Sequence, residues 1–595
     1  MANGRTPVPT GLGRWLPVIA TVRSYERAWV RRDLVAGLVL TALLVPQGMA
    51  YAELAGLPPV TGLYTTVLAL LAYAVVGPSR ILVLGPDSAI GPLIAATLLP
   101  LVVADGDPAT AVALASAQAL LMGLFCVGAG LARVGRVAEL LSKPVRVGFL
   151  NGIAVIIVVG QLPKLFGFGS ESASLFDEIA VFVDGLRTGE TVPAALVVGV
   201  ASLTVILAFH QWLPKVPGIL IAVIGATAIS AVLGLADEGV SVVGVVPSGF
   251  PSPTFPRVGL DQLGTLAIAA AGMAFVTLAD TSALSRSLAA RRREVVDPNQ
   301  EIAALGGANL AAGFFQGFAV SASASRTAVA EATGARTQLT GVVGAVAIII
   351  VLVAANDVVA DLPSATLAAI VIAAAISLFD LATLRWLARV RPAELVLSLA
   401  ALAGVAVIGV LPGIVVAIVL SLADFVWKAW RPYDAELGRL PDRKGYHDIA
   451  RHPDAVVIPG LVIYRFDAPL FFANADFFRS SVQQAIAERA DTIAWVIIAA
   501  EPITDVDTTG ADVLDELLDE LDEAGIVLAI AELKGPVVDR LGRYGLVDRI
   551  GPLRFHATLG VAIAAYLAAT GTTWVDPFDQ PDTAPNTPSP AEERP

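Results

Sequence analysis

From about residue 33 to 430 the chain is built of apolar runs of roughly 20 residues separated by short polar turns, the length that crosses a bilayer. Runs fall at 33 to 54, 60 to 77, 82 to 100, 110 to 131, 143 to 162, 191 to 209 and 216 to 235. Further runs fall at 262 to 289, 299 to 318, 321 to 334, 338 to 356, 363 to 380, 393 to 410 and 412 to 430. That pattern predicts an α-helical polytopic membrane protein with about 14 spans. Past Arg431-Pro432 the period changes. Short β-rich runs at Ala455-Val-Val-Ile-Pro, Leu461-Val-Ile-Tyr-Arg-Phe, Thr492-Ile-Ala-Trp-Val-Ile-Ile-Ala and Gly525-Ile-Val-Leu-Ala-Ile-Ala alternate with amphipathic helices at Ala475 to Arg489, Thr509 to Glu523 and Pro536 to Tyr544. This second part predicts a small α/β domain with a mixed sheet.

Charge divides the chain at the same place. Residues 434 to 595 hold 13 Lys+Arg against 27 Asp+Glu, a net −14, whereas the whole chain carries −13, so the acidity belongs to the soluble part. Mean hydropathy is +0.74, with 56% hydrophobic and 15% charged residues, which fixes the membrane class for the first part. Loop charges set the orientation. Arg31, Arg32, Arg80, Arg133, Arg136, Lys215, Arg291 to Arg293, Arg336, Arg385, Arg389, Arg391, Lys428 and Arg431 fall on one face. Asp105, Asp107, Asp237, Glu238, Asp357 and Asp361 fall on the other, with Lys164, Arg187 and Arg257 as exceptions. By the positive-inside rule both termini are cytoplasmic, which requires an even number of spans. Two halves of seven must then be inserted oppositely, as an inverted repeat. The segment 1 to 32 has Arg but no short apolar core before a small-residue cleavage site, so it reads as a retained cytoplasmic segment. The single cysteine, Cys126, lies in an apolar run, which excludes disulfides within the chain and Cys-rich metal sites.

Two spans are broken. Gly85-Pro86-Asp87-Ser88 interrupts the third and Ser321-Ala322-Ser323-Ala324-Ser325-Arg326 the tenth, the third of its own half. A helix that begins in mid-bilayer leaves its first N–H groups unpaired, which hydrocarbon tolerates only against a cavity or a ligand. Two such starts facing one another favour an anion. The segments Val45-Pro-Gln-Gly-Met-Ala-Tyr-Ala-Glu-Leu-Ala-Gly-Leu-Pro-Pro-Val-Thr-Gly-Leu-Tyr64, Leu84-Gly-Pro-Asp-Ser-Ala89 and Phe315-Gln-Gly-Phe-Ala-Val-Ser-Ala-Ser-Ala-Ser-Arg-Thr327 resemble the sulfate permease (SulP) family of anion transporters, over nearly the whole chain. The resemblance implies two inverted seven-helix repeats arranged as a core domain moving against a gate domain in an elevator-like way, and a cytoplasmic STAS domain. The domains expected are 1-32 (N-terminal segment), 33-432 (transporter), 433-570 (STAS) and 571-595, a disordered tail rich in Pro.

The same resemblance places the anion against Gln47 and Tyr51 of the first span, Gly85, Pro86, Asp87 and Ser88 of the third, and Ser323, Ser325 and Arg326 of the tenth. Gln47 and Tyr51 stand four residues apart and share one helix face. Arg326 supplies a permanent cation whose presence in mid-membrane calls for a partner anion, the alternative being that it snorkels to the cytoplasmic face. Asp87 departs from the family pattern. An ionised carboxylate there repels the substrate, so it serves as an ordinary helix N-cap, is protonated during transport, or pairs with Arg326. Asp280, with Thr277 one turn back, is the expected coupling site for a co-transported H+ or Na+, against a structural role at a helix end. Glu53 reads as interfacial. In the α/β domain, Asp505-Val-Asp-Thr-Thr-Gly510 resembles the STAS loop that carries a phosphorylatable residue, here Thr508; an ordinary capping segment is the alternative.

No fused enzyme is expected. The four His form no zinc-spaced cluster, and there is no P-loop or nucleophile elbow. The expected function is secondary active uptake of an inorganic anion, foremost sulfate, coupled to H+ or Na+, with no resident cofactor. Carrying a dianion inward against about 100 mV costs about 4.6 kcal/mol, so uptake needs a co-moving cation or a counter-moving anion. Bicarbonate/Na+ symport, dicarboxylate/H+ symport, anion exchange and a membrane-bound STAS regulator or sensor are the competing readings. The expected setting is the plasma membrane, as a homodimer, with a possible cytoplasmic partner for the STAS domain and no nucleic-acid partner.

Overall fold

The computed structural model describes residues 16–102, 107–133, 142–169, 174–213, 216–245, 247, 249–354 and 359–579. Asp105, Arg136, Lys215, Asp357 and residues 580–595 of the expected tail lie outside the described residues. The chain forms two compact units, Met1–Leu422 and Ala423–Pro595.

The first unit is helical. After a short α1 (Pro17–Arg23), α2 (Val30–Leu54) and α3 (Pro59–Val76) lead to β1 (Leu84–Gly85), α4 (Gly91–Val102) and α5 (Pro108–Leu131). Then follow α6 (Lys143–Phe166), α7 (Leu175–Thr188), α8 (Pro193–Trp212) and α9 (Gly218–Leu233). The second half runs α10 (Leu260–Arg292), α11 (Pro298–Phe314), β2 (Ser321–Ala322), α12 (Ala324–Ala332), α13 (Leu339–Ala354), α14 (Ser364–Leu378), α15 (Leu381–Val390), α16 (Pro392–Ala403) and α17 (Val410–Trp430). Among the described residues, eight helices are long and apolar enough to cross a membrane by themselves, while α4, α9, α13 and α16 are shorter apolar pieces.

Packing sorts the helices into two groups. α2, α3, α5, α10, α11 and α13 pack on one another, with α4 lying on α10 and α12 on α2. A second group forms where α6 packs on α14 and α16, and α8 on α9 and α14. Contacts of α2 with α9 and α14, and of α4 with α6, join the two groups. In the first group α2 and α3 lie backbone to backbone: a Cβ on Gly62 would sit 1.8 Å from the Gly48 carbonyl oxygen, so only hydrogen fits beside Gln47. Besides α1, two helices of this unit were not foreseen. α7 and α15 are short, follow α6 and α14 respectively, and place charged residues such as Asp177, Arg187, Arg385 and Arg389 among apolar ones; as short charged segments they look like loops in a search for spans.

The second unit carries a six-stranded mixed sheet in the order β4-β3-β5-β6-β7-β8. β3 (Asp434–Arg439) runs antiparallel to β4 (Tyr446–Asp448) and to β5 (Leu461–Phe466). β5, β6 (Trp495–Ala499), β7 (Val527–Ala531) and β8 (Phe555–His556) run parallel, joined by α18 (Ala475–Ala487), α19 (Thr508–Glu523) and the pair α20 (Gly535–Arg543) and α21 (Leu546–Ile550). Val462, Tyr464, Phe466, Val496 and Ile498 face α18 and α19, and the alternate residues Leu461, Ile463 and Ile497 face α22 (Leu559–Thr570) through Tyr566. Two expectations are corrected. Ala455-Val-Val-Ile-Pro makes only a single bridge, Val456 to Arg439, because β3 takes the edge beside β5. Asp576, expected in a disordered tail, accepts from Arg439 Nε at 2.7 and 2.9 Å.

Candidate functional site

The two broken segments meet. β1 and β2 pair antiparallel, Leu84 against Ala322 and Gly85 against Ser321, and the helices α4 and α12 begin just beyond them. Val83 extends the joint, its N–H donating to Thr327 Oγ1 at 3.1 Å and its carbonyl accepting from Ser323 N at 3.1 Å. The strand before α12 is held from three sides. Val320 donates to Asn309 Oδ1 at 2.9 Å and accepts from Asn309 Nδ2 at 3.2 Å, Phe318 N donates to Thr65 Oγ1 at 3.0 Å, and Ser116 Oγ donates to the Gly317 carbonyl at 3.0 Å. A break in a membrane helix is stable only when neighbours satisfy the freed backbone in this way.

Arg326 stands at the centre of the joint, 1% exposed, which removes the snorkelling alternative. Its Nη2 donates to the Gly85 carbonyl at 3.4 Å and lies 3.7 Å from Asp87 Oδ2. Its Nη1 has no hydrogen-bond partner among the described residues. A buried donor left so costs about 1–3 kcal/mol, more when charged. Gly85 keeps this corner open, since a Cβ there would lie 2.7 Å from Nη1. Asp87 both caps and pairs: Oδ1 accepts from Ala89 N at 3.0 Å while Oδ2 faces the guanidinium. Ser323 is the N-cap of α12, accepting from Arg326 N at 3.4 Å, and its Oγ lies 3.2 Å from Ser325 Oγ. Ser325 itself is exposed, whereas Pro86 and Ser88 are buried.

The first span supplies the facing wall. Tyr51 is buried, with its hydroxyl beside Ser88 and within the fields of Asp87 and Arg326. Gln47, one turn earlier, is 6% exposed, and its Oε1 has no partner among the described residues. The structure therefore brings Tyr51, Gly85, Asp87, Ser88 and Arg326 together.

Asp280 lies in the interior of α10, the helix that packs on β2 and α4, and Asp87 is among the charges that act on it. It is not alone. Arg146 Nη1 of α6 lies 3.7 Å from Asp280 Oδ1, each side chain about one third exposed at 33% and 31%. This partner leaves no mark in the sequence, because Arg146 sits one turn inside a span start, close to Lys143. Thr277 Oγ1 is buried without a partner among the described residues, as are Thr281 Oγ1 and Ser282 Oγ on the same helix. Glu53, next to the last residue of α2, has a side chain 14% exposed and 4.0 Å from Lys164 Nζ of α6. That pair borders a separate cavity of about 390 Å³ lined also by Pro92, Gln161, Glu178 and Ile408, away from the joint.

Two saturated clusters brace the joint. Asp33, fully buried in α2, accepts from Arg336 N (2.7 Å), Thr337 N (3.2 Å), Thr337 Oγ1 (2.7 Å), Thr340 Oγ1 (3.2 Å) and Tyr25 OH (3.0 Å). Glu301, fully buried in α11, accepts from Tyr73 OH, from Ser79 Oγ at 2.8 Å and from Ser285 Oγ at 2.7 Å. Gln338 Nε2 then donates to the carbonyls of Ser79 and Leu82, each at 2.9 Å, so the turn leading into β1 is fixed at both ends. In the second unit Thr508 opens α19 exposed, and Asp507 rather than Thr508 caps the helix, accepting from Gly510 N at 2.7 Å and from Phe472 N at 3.0 Å.

Comparison with known proteins follows the same outline. Residues 30–401 match the sulfate permease family and residues 452–562 the STAS domain. A probable sulfate transporter of Mycobacterium tuberculosis is 41% identical over 94% of this chain and 99% of its own length, and sulfate transporter 1.1 of Arabidopsis thaliana is 29% identical over 94% and 90%. The inward-facing structure of the murine solute carrier 26 family member A9 anion transporter superposes with a TM-score of 0.86 at 22% identity, covering 95% of this chain and 96% of that one. A polytopic helical unit with two broken spans paired end to end, followed by a STAS unit, thus places this chain in the sulfate permease family of anion transporters.

Proposed function

We propose that the protein is a secondary active importer of an inorganic anion, sulfate foremost, driven by co-transport of H+ or Na+. The observation that carries this reading is Arg326, a cation buried at the meeting point of two helix starts with one donor unused. Ligand oxygens there take up Arg326 Nη1, and the hydroxyls of Tyr51, Ser88, Ser323 and Ser325 with the amide of Gln47 complete the ring of donors. The first N–H groups of α4 and α12 add partial positive charge. Relatives described as sulfate transporters favour sulfate over the other small anions.

Asp280 and Thr277 are the coupling residues of this account. Neutralising a carboxylate of the cluster, by a proton or by Na+, removes the repulsion that Asp87 and Asp280 exert on an incoming anion. Movement follows from the two packing groups: the α2–α5 and α10–α13 group carries the joint as a core and slides, elevator-like, past the gate group of α6, α8, α9, α14 and α16. The 14 spans then form two inverted repeats, an assignment supported by the antiparallel pairing of β1 with β2 and by the matching places of α7 and α15. The working state is a plasma-membrane homodimer with both termini cytoplasmic, in which Thr508, exposed beside an acidic cap, is open to modification or to a cytoplasmic partner.

The test is uptake of labelled sulfate into liposomes bearing the full chain, with an inward H+ or Na+ gradient, for the wild type and Asp280→Asn. Gradient-driven uptake in the wild type that becomes independent of the gradient or is lost in the variant is expected. Flux of bicarbonate or a dicarboxylate with none of sulfate would replace the substrate, and no flux of any anion would favour a regulator.

A further inference from the structure

Two charged side chains, Arg326 and Asp87, stand at the joint, and a second pair, Asp280 and Arg146, is attached to it through α10, which packs on β2; the four, two of each sign, are not carried by one body. Arg326, Asp87 and Asp280 belong to α12, the β1–α4 turn and α10, all in the core group. Arg146 belongs to α6, in the gate group, and reaches across to Asp280 at 3.7 Å. With all four ionised the charges cancel in two pairs, so a dianion arriving at Arg326 finds no net positive charge. Neutralising Asp280 leaves Arg146 without its counter-ion and facing the same cluster. A guanidinium one third exposed, next to water on one side and the site on the other, then finds its partner in the anion.

On the core-and-gate reading above, we propose that Arg146 is a second, gate-borne cation for the substrate, held in reserve by Asp280 and engaged only when the site opens toward the end of the membrane where α6 begins. The sidedness follows from the fold. Arg326 travels with the core and serves the anion in every state, whereas Arg146 stays with the gate in the first turn of α6 and loses reach when the core slides toward the opposite face. Dianions gain from two guanidinium groups more than monoanions do, so Arg146 also sets preference by charge.

The experiment is sulfate exchange by the full chain in liposomes of known orientation, with half-saturation measured separately from each face for the wild type, Arg146→Gln and Arg146→Lys. Losing one charge-assisted hydrogen-bonding partner raises half-saturation about tenfold or more on the face where α6 begins and leaves the other face within about twofold. Arg146→Lys, which keeps the charge, recovers most of the wild-type value. Melting temperatures of the three proteins separate a folding defect, which lowers flux from both faces, from the one-sided shift. An equal shift on both faces, or none on either, overturns the assignment while leaving the transport reading intact. Absence of exchange of any anion by the wild type overturns both.

Discussion

Asp33 and Arg326 are both charged groups sealed inside the helical unit, and their surroundings differ in one respect. Asp33 has donors on every side: two backbone N–H groups and three hydroxyls, drawn from Tyr25, Arg336, Thr337 and Thr340, close around its two oxygens. Arg326 is as deeply buried, yet its Nη1 is unpartnered among the described residues and its one carboxylate lies 3.7 Å away. A saturated polar cluster fixes backbone and has nothing left to bind; an unsaturated one at the same depth holds binding capacity in reserve. Glu301 sides with Asp33, fed by three hydroxyls, and Gln47 sides with Arg326, its Oε1 unused. The first pair is fully partnered, whereas the second keeps polar atoms without partners among the described residues, a donor on Arg326 and an acceptor on Gln47.

That contrast breaks most visibly at Asp33. Asp33→Ala strands its donors inside the unit, and a loss of about 3–5 kcal/mol, or failure to accumulate folded protein, is expected. Thermal melting in detergent reads the effect. An Asp33→Ala protein with an unchanged melting temperature would erase the distinction between frame and site.

Gly85→Ala sharpens the other side. Its Cβ would press on Arg326 Nη1 from 2.7 Å, so the flexible guanidinium swings away rather than the backbone. Half-saturation for sulfate rises about tenfold with stability changed by less than about 1 kcal/mol, because a binding group is displaced and only the long 3.4 Å hydrogen bond to the Gly85 carbonyl is given up. Equal losses of affinity and of melting temperature would show that this corner is frame after all.

The smallest effect lies in the STAS unit, where charges are paired at the surface. Arg489 donates to Asp491 at 3.0 Å and pulls its carboxyl down to about 2, with Gly460 N adding a hydrogen bond at 2.5 Å. A depressed folded-state value means the contribution is present above the unfolded value near 4 and fades as the pH falls through about 2. The Asp491 side chain is 36% exposed, so solvent screening keeps the stabilisation below about 1 kcal/mol although Arg489 is 9% exposed. Asp491→Asn should therefore cost little near pH 7 and less still as the pH falls through about 2, read by melting of the full chain.

Much of this architecture is legible in the sequence because bilayer spans need long apolar runs and a mid-membrane break needs Gly, Pro or Ser. Gly85-Pro86 and Ser321 to Arg326 announce the joint in that way. Other parts leave no such mark. Asn309, Thr65 and Ser116, which hold the strand before α12, are single polar residues in apolar helices, and only their partners on distant segments reveal them. Arg146 reads as one more positive charge at a span start until α10 brings Asp280 beside it. β3, with the sequence Asp-Ala-Glu-Leu-Gly-Arg, lacks β-branched residues and becomes a strand through pairing with β4 and β5.

Arg326 is the residue on which anion binding depends most in this reading, and labelled-sulfate uptake by the wild type and Arg326→Ala, each normalised to folded protein, measures that dependence. Uptake per folded Arg326→Ala protein is expected to fall about a hundredfold or more, as the charge-assisted contact to the anion is lost, with some loss of melting temperature because Asp87 and the Gly85 carbonyl lose their partner. Uptake by Arg326→Ala at the wild-type rate would contradict it.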